Sequence, residues 1–196
     1  RVLAACAADR PARADAHADA DADADGRDAA STAAAEAALR ERVDVSAEDG
    51  GVWRHDRLGL AIPIPNGWRV RDVNGLTILS DPDSAKAGFT INVNVTTSPR
   101  GTVADLEQLV ATNRGQLERI GLTIERLEVA RRGDVDVVEG EYHGRIGRMQ
   151  PLRFLLLAYL RGDQQVYVTI TATPAQWPEH EAELRELLAA MRVTPE

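Results

Sequence analysis

The sequence predicts an α+β domain, an antiparallel sheet with two helices, behind an acidic N-terminal arm. Three observations predict it. Apolar residues recur at every second position in successive stretches between residues 58 and 172, the period of half-buried strands. That period gives way to helical spacing over 102–120 and again over 175–192. Before Gly50-Gly51 neither period carries enough sizeable apolar residues to build a core, and 19 of the first 50 residues are Ala. Strands that follow one another through short turns pair antiparallel, and helices falling between and after them give the α+β class. The residues from 51 to 196 are enough to bury about 68–70% of their unfolded surface, and so to hold an autonomous core.

The arm comes first. Residues 1–50 hold six Arg against nine Asp and three Glu, a balance of −6 within the −8 of the whole chain, which leaves −2 for the rest. The run Ala18-Asp19-Ala20-Asp21-Ala22-Asp23-Ala24-Asp25 alternates strictly. Ala buries little, Asp is a poor strand residue and like charges repel, so residues 7–50 read as a disordered Ala/Asp-rich tether. Residues 32–43 carry a marginal helix pattern, with Thr32 as a cap and Glu36 four before Arg40, but only Leu39 and Val43 as sizeable apolar groups. As a flexible coil the tether spans about 35 Å.

In the body, Leu58, Leu60, Ile62 and Ile64 alternate as a strand, closed by a turn at Pro65-Asn66-Gly67. Trp68–Val73 and Leu76–Ser80 flank Asn74-Gly75, a hairpin signal with φ > 0 residues at both central positions. Asp81-Pro82-Asp83-Ser84 ends that strand. Phe89, Ile91, Val93 and Val95 then face one way, and Thr90, Asn92, Asn94 and Thr96 the other, so this strand should have one wet face. The helix over 102–120 buries Leu106, Leu109, Val110, Leu117 and Ile120, with Thr102 as its N-cap and Asp105 near the positive dipole end. Strands follow near 123–130, 134–142, 152–160 and 165–172. Phe154-Leu155-Leu156-Leu157-Ala158 is apolar on both faces and belongs in a strand covered on both sides. The last helix carries Trp177, Leu184, Leu187, Leu188 and Met191 on one face, opened by a capping box of Thr173 and Gln176 with Pro174 in its first turn.

Candidate chemistry is sparse. His17, His55, His143 and His180 are not spaced as metal ligands, and the single Cys excludes a disulfide framework or a Cys-based zinc site within one chain. Asp81-Pro82-Asp83-Ser84 lacks the later ligands of a calcium loop. Ser84 and Lys86, the only Lys, could act as a nucleophile pair only if the Lys were desolvated, and their segment reads as an exposed loop. No cofactor and no metal are expected. Arg131, Arg132, Arg145, Arg148 and Arg153 form the one basic concentration; Arg145, Arg148 and Arg153 are the candidate binding surface, for anionic headgroups or a carboxylated glycan, set against a plainer role as charged strand edges. A near-neutral body with an acidic arm does not suit nucleic acid, which needs clustered cations. No stretch approaches the 18 apolar residues of a membrane span.

Two resemblances complete the reading. Leu3-Ala4-Ala5-Cys6 resembles a bacterial lipobox, whose Cys thiol takes a diacylglyceryl group and becomes the mature N-terminus. On that basis residues 1–6 are the remnant of a lipoprotein signal peptide clipped at its N-terminus, and Cys6 is the lipidation site. Leu60-Ala61-Ile62-Pro63 leading into Pro65-Asn66-Gly67-Trp68, then Gly88-Phe89-Thr90-Ile91-Asn92-Val93-Asn94-Val95, then the helix from Trp177 to Met191 resemble, in that order, the DcrB family of bacterial envelope proteins, also seen in LpqN-type lipoproteins. The resemblance covers about residues 52–193. It implies a PsbP-like α/β/α sandwich over 51–196, a curved antiparallel sheet of about six or seven strands flanked by two helices. It also implies a non-catalytic envelope protein, some relatives being secretion chaperones that hold apolar segments. The expectation is a lipid-anchored cell-envelope protein on the periplasmic face, in the outer membrane of a Gram-negative cell because Ala7 rather than Asp follows the Cys. Its body would bind or scaffold, its partners being the membrane through the N-terminal lipid and an envelope protein or apolar peptide. The alternatives are a chaperone or adaptor for apolar segments, and last a hydrolase built around Ser84, Lys86 or His143.

Overall fold

The computed structural model describes residues 51–73 and 76–196. Cys6, the Ala-Asp run, the helix pattern at 32–43 and the Asn74-Gly75 turn lie outside the described residues. The rest forms two sheets and two helices. In chain order the elements are β1 (Val52–His55), β2 (Leu60–Pro63), β3 (Arg69–Val73), β4 (Leu76–Ser80), β5 (Asn92–Pro99), α1 (Leu106–Arg119), β6 (Thr123–Arg132), β7 (Val135–Arg145), β8 (Pro151–Arg161), β9 (Gln164–Ala172), α2 (Trp177–Ala190) and β10 (Arg192–Val193).

Seven strands make one antiparallel sheet in the order β3-β4-β5-β9-β8-β7-β6, and β1-β2-β10 make a second, smaller one. The expected α+β architecture, a mostly antiparallel sheet with two helices, is therefore present. The β3–β4 hairpin has the expected register, Arg69 opposite Ser80 and Val73 opposite Leu76. β8 is an inner strand between β9 and β7, and Phe154, Leu155, Leu156, Leu157 and Ala158 are all at most 3% exposed. Its two faces go to different partners. Leu155, Leu157 and Tyr159 share a core with Val166, Val168 and Ile170 of β9, the apolar stripe of α2, and Trp53, Leu60 and Ile62 of the small sheet. On the other face α1 packs against β6 and β7. There Gly140 leaves the room that Leu127 and Leu156 fill: a Cβ at Gly140 would sit 2.9 Å from Leu127 Cδ1.

Several expectations are corrected. The strand expected through Leu58 begins only at Leu60. Asp56–Leu58 form a 3-10 turn, capped by His55 Nδ1 accepting from the Leu58 N–H and closed by Gly59 at φ 62°. Gly59 is also tight, since a Cβ there would lie 2.6 Å from Thr194 Oγ1. Phe89 precedes β5 rather than belonging to it, because a 3-10 turn over Asp83–Ala87 and Gly88 at φ 84° delay the strand to Asn92. The N-cap of α1 is Asp105, whose carboxylate accepts from the Gln108 N–H at 2.9 Å, not Thr102. Arg100 donates to the Val103 and Ala104 carbonyls and so orders that loop as a separate turn before the helix. The capping box of Thr173 and Gln176 is formed on both sides, Gln176 N–H to Thr173 Oγ1 and Thr173 N–H to Gln176 Oε1. The Gln176 amide also donates to the Ser84 and Phe89 carbonyls, pinning the start of α2 to the β4–β5 connection.

Leu157→Ala empties a fully buried site, so urea unfolding should show a loss of about 2–5 kcal/mol, while Val129→Ala on the exposed β6 edge should change stability by less than about 0.5 kcal/mol.

Candidate functional site

Alternation along β7 puts Val137, Glu139 and Glu141 on the face that looks toward α2, because Val137 belongs to that core and side chains two apart share a face. Two carboxylates on a core-facing side must be paired. They are. Glu139 takes Arg126 at 3.2 Å and Arg132 at 2.7 Å, both from β6. Glu141, whose side chain is 8% exposed, takes Arg153 of β8 and Arg185 of α2, each at 2.8 Å. Arg153 reaches on to Glu125 at 3.1 Å, and Arg185 to Glu181 one helical turn back at 2.8 Å. The Arg153 guanidinium lies 4.6 Å from the Trp177 ring centre and that of Arg185 lies 5.9 Å from it, both within cation–π range. Arg132 also donates to the Leu188 and Met191 carbonyls at the C-terminal end of α2, where the dipole favours a cation. The result is an ionic seam joining β6, β7 and β8 to the middle and the C-terminal end of α2.

Burial works against the charge on Glu141, but hydrogen bonds and charge from Arg185, then hydrogen bonding from Arg153, hold its carboxyl below the usual 4.5. Its pairing therefore adds stability present above that usual value and lost as pH falls through the lower native one. On the other side of the ledger of buried groups, burial pushes the Tyr159 phenol well above its ordinary range, and its O–H donates to the Leu58 carbonyl at 2.9 Å. Burial likewise raises Tyr167, with Ser98 and Asn113 partly opposing it.

The five-arginine concentration is divided. Arg131 and Arg132 sit at the β6–β7 turn, and Arg131 pairs with Asp136. Arg145 and Arg148 are exposed at the opposite turn, between β7 and β8. Arg153 lies near them, but its charge is taken up by Glu125 and Glu141 beneath Trp177. The Ser84, Lys86 and His143 set is not assembled either. Ser84 Oγ donates to the Asp81 carbonyl and accepts from the Ile91 N–H, Lys86 pairs with Asp83 in solvent, and His143 on β7 has β8 and β9 between it and β5. His143 lies 3.4 Å from Glu125, and His180 lies 3.6 Å from Glu183. Among the described residues no group of three or more His, Cys, Asp or Glu could hold a metal ion, and no helix is long and apolar enough to cross a membrane. Two shallow hollows of about 160 and 270 Å³ share Arg161 and Glu196 in their lining.

Sequence reasoning missed the seam. Its one signal was the pair Glu139 and Glu141, two acids on the same side of a strand that starts Val135 and Val137. Nothing in the sequence named Arg185 as the partner, because a helix on the far side of the chain supplies it.

No protein-family model matches the chain, and no curated protein matches it. Solved structures do. The chain is similar to cyanobacterial PsbP (CyanoP) from Synechocystis sp. PCC 6803, with a TM-score of 0.58 and 16% identity over 80% of this chain and 99% of that one. It is similar to LpqN of Mycobacterium tuberculosis, a protein involved in cell envelope biogenesis, with a TM-score of 0.55 and 12% identity over 75% of this chain and 91% of that one. PA94 of Pseudomonas aeruginosa, a protein of unknown function, gives a TM-score of 0.54 and 17% identity over 75% and 99%. Identities this low show the fold alone, and the fold is PsbP-like, as the resemblance implied.

Glu141→Gln leaves two guanidinium groups without their anion and is expected to cost about 2–4 kcal/mol in urea unfolding, less than a fully buried pair because Arg185 keeps water contact. The same variant should flatten the fall of stability below pH 4.5; an unchanged acid limb would mean that Glu141 is not its source.

Proposed function

We propose that the chain is a lipid-anchored cell-envelope protein whose body binds or scaffolds rather than turns over a substrate. The observation that carries the non-catalytic reading is that each reactive side chain singled out in the sequence is committed elsewhere. Ser84 Oγ makes two backbone hydrogen bonds, Lys86 is an exposed partner of Asp83, and His143 stands three strand spacings, about 14 Å, along the sheet from where Ser84 bonds. A nucleophile needs its base within hydrogen-bond reach. The fold is shared with LpqN, an envelope protein, and this likeness supports the envelope address.

The anchor rests on Leu3-Ala4-Ala5-Cys6. Several acyl chains on Cys6 would hold the protein firmly, and residues 7–50 would act as the tether. Ala7 after the Cys fits the outer membrane of a Gram-negative cell. Of the two partner classes, a polar surface fits the body better than an apolar segment. Among the described residues the exposed large hydrophobics are Val52 and Val129, one on each sheet. Arg145 and Arg148, exposed at one turn, are the body's candidate contact for an anionic partner.

Expressed from its natural start, the protein should enter the detergent-rich phase of a Triton X-114 partition, and Cys6→Ala should move it to the aqueous phase. A wild-type protein found in the aqueous phase would remove the anchor.

A further inference from the structure

The two ends of the large sheet differ in charge. Strands β7 and β8 run 11 residues each, about 35 Å from one end of the sheet to the other. At one end stand the β6–β7 and β8–β9 turns, which expose Asp134 and Asp163, with Glu196 bound to the Gly162 N–H. At the other end stands the β7–β8 turn. Its ladder closes at Arg145 opposite Pro151, and residues 146–150 lie beyond it. The Met149 N–H donates to the Ile146 carbonyl at 3.1 Å and Gly147 takes φ 58°, which makes a fixed reverse turn. Arg145 and Arg148 are exposed on it, with Ile146 and Met149 half-buried beside them. Gly144 seats this turn against the segment after α1, since a Cβ there would lie 2.8 Å from Leu122 Cδ2, and α1 ends in the exposed Arg119. Among the described residues none of Arg119, Arg145 and Arg148 is in an ion pair. The acids on the adjoining segments are Glu118 and Glu125, and Glu125 is paired with Arg153 at 3.1 Å. The chain enters the body at this same end. The Gly51 carbonyl accepts from the Ile64 N–H at 2.7 Å and Val52 pairs with Pro63. A short turn then leads to Arg69 of β3, whose register runs across the sheet to Tyr142, just before Arg145.

We propose that this end of the body is a docking face for an anionic phospholipid bilayer, with Arg145 and Arg148 on lipid phosphates and Ile146 and Met149 at the headgroup level. It rests on the anchored reading above, which supplies the bilayer. Guanidinium forks take phosphate oxygens in bidentate fashion, and apolar side chains set among cations suit the membrane interface. A projecting turn has no enclosure for a small anion; the two hollows lie at the opposite end, around Arg161 and Glu196. A flat, extended surface fits it instead. Two arginines would hold an untethered protein weakly. A body joined to the bilayer through the residues before Gly51 is different, because a flexible link keeps it at an effective concentration of about millimolar, where about fivefold per arginine sets its orientation. Entry at Gly51 lets the chain reach that surface without passing around the body. The same field turns the Asp134 and Asp163 end away from anionic lipid.

Because Cys6 is the single Cys, the full chain can be coupled there to a maleimide-headgroup lipid. The coupled protein is placed in nanodiscs of equal parts phosphatidylcholine and phosphatidylglycerol that carry a gadolinium-chelate lipid, and backbone amide relaxation is read by NMR. Two arginines at about fivefold each favour the docked orientation by about twenty-five-fold, so relaxation enhancement over residues 145–149 should exceed that at Gly133 and Gly162 by at least about tenfold. R145Q/R148Q should bring that ratio to about one, as should discs of phosphatidylcholine alone. R57Q/R131Q removes the same charge at the opposite end and should leave the ratio unchanged. Equal enhancement at the two ends on the mixed discs would overturn the proposal. So would a ratio that survives R145Q/R148Q or phosphatidylcholine alone, or one that R57Q/R131Q lowers as much. The coupling supplies an anchor whether or not the cell acylates Cys6, so a wild-type protein in the aqueous phase of the partition would remove natural anchoring and leave the nanodisc result standing.

Discussion

A carboxylate with 8% of its side chain exposed has to be neutralised where it stands, and much of this fold is arranged around that requirement at Glu141. The apolar stripe of α2 can lie on the large sheet in many ways, because hydrophobic burial has no direction. Ion pairs with charge-assisted hydrogen bonds do have one. Glu141 accepts Arg185 from the middle of α2 and Arg153 from β8, while Arg132 takes the carbonyls at the helix's C-terminal end. At the N-terminal end Gln176 ties the helix to the connection before β5. With these fixed, Trp177, Leu184, Leu187 and Leu188 have one set of partners, and the core of β8, β9 and the small sheet closes around them.

The parts of the fold that could be read from sequence are those whose signal is local. Period-two and helical spacing located β3 through β9 and both helices, and Asn74-Gly75 set the hairpin register before any tertiary contact was known. The capping box at Thr173 and Gln176 was legible for the same reason, since its partners lie three residues apart. β1 and β10 were not legible. β10 has two residues, and it exists because Arg192 and Val193 find Ala61 and Leu60 from the far end of the chain. The α1 cap moved from Thr102 to Asp105 because Arg100, whose side chain reaches the loop carbonyls, shapes that loop first.

The site was less legible than the fold, and charge counting explains why. A body balance of −2 suggests little electrostatic structure, yet register sorts the arginines into two kinds. Arg126, Arg132, Arg153 and Arg185 are paired with Glu139 and Glu141. Arg69, Arg71, Arg145 and Arg148 face solvent. Neighbours in sequence fall on opposite sides of this division, as Arg148 and Arg153 do, because five residues along a turn and a strand carry a side chain from an exposed tip to a covered face.

That division also limits where a ligand can be met. Both faces of β8 are filled, and Gly140 of β7 is already in contact with Leu127 and Leu156, so the β6–β8 side of the sheet has no space to give without opening a cavity elsewhere. On β3, β4, β5 and β9 the face toward α2 carries Leu79, Val93 and Ile170 of the core. The opposite face of those strands is covered in part as well, with Ser80, Asn94, Tyr167 and Thr171 buried there.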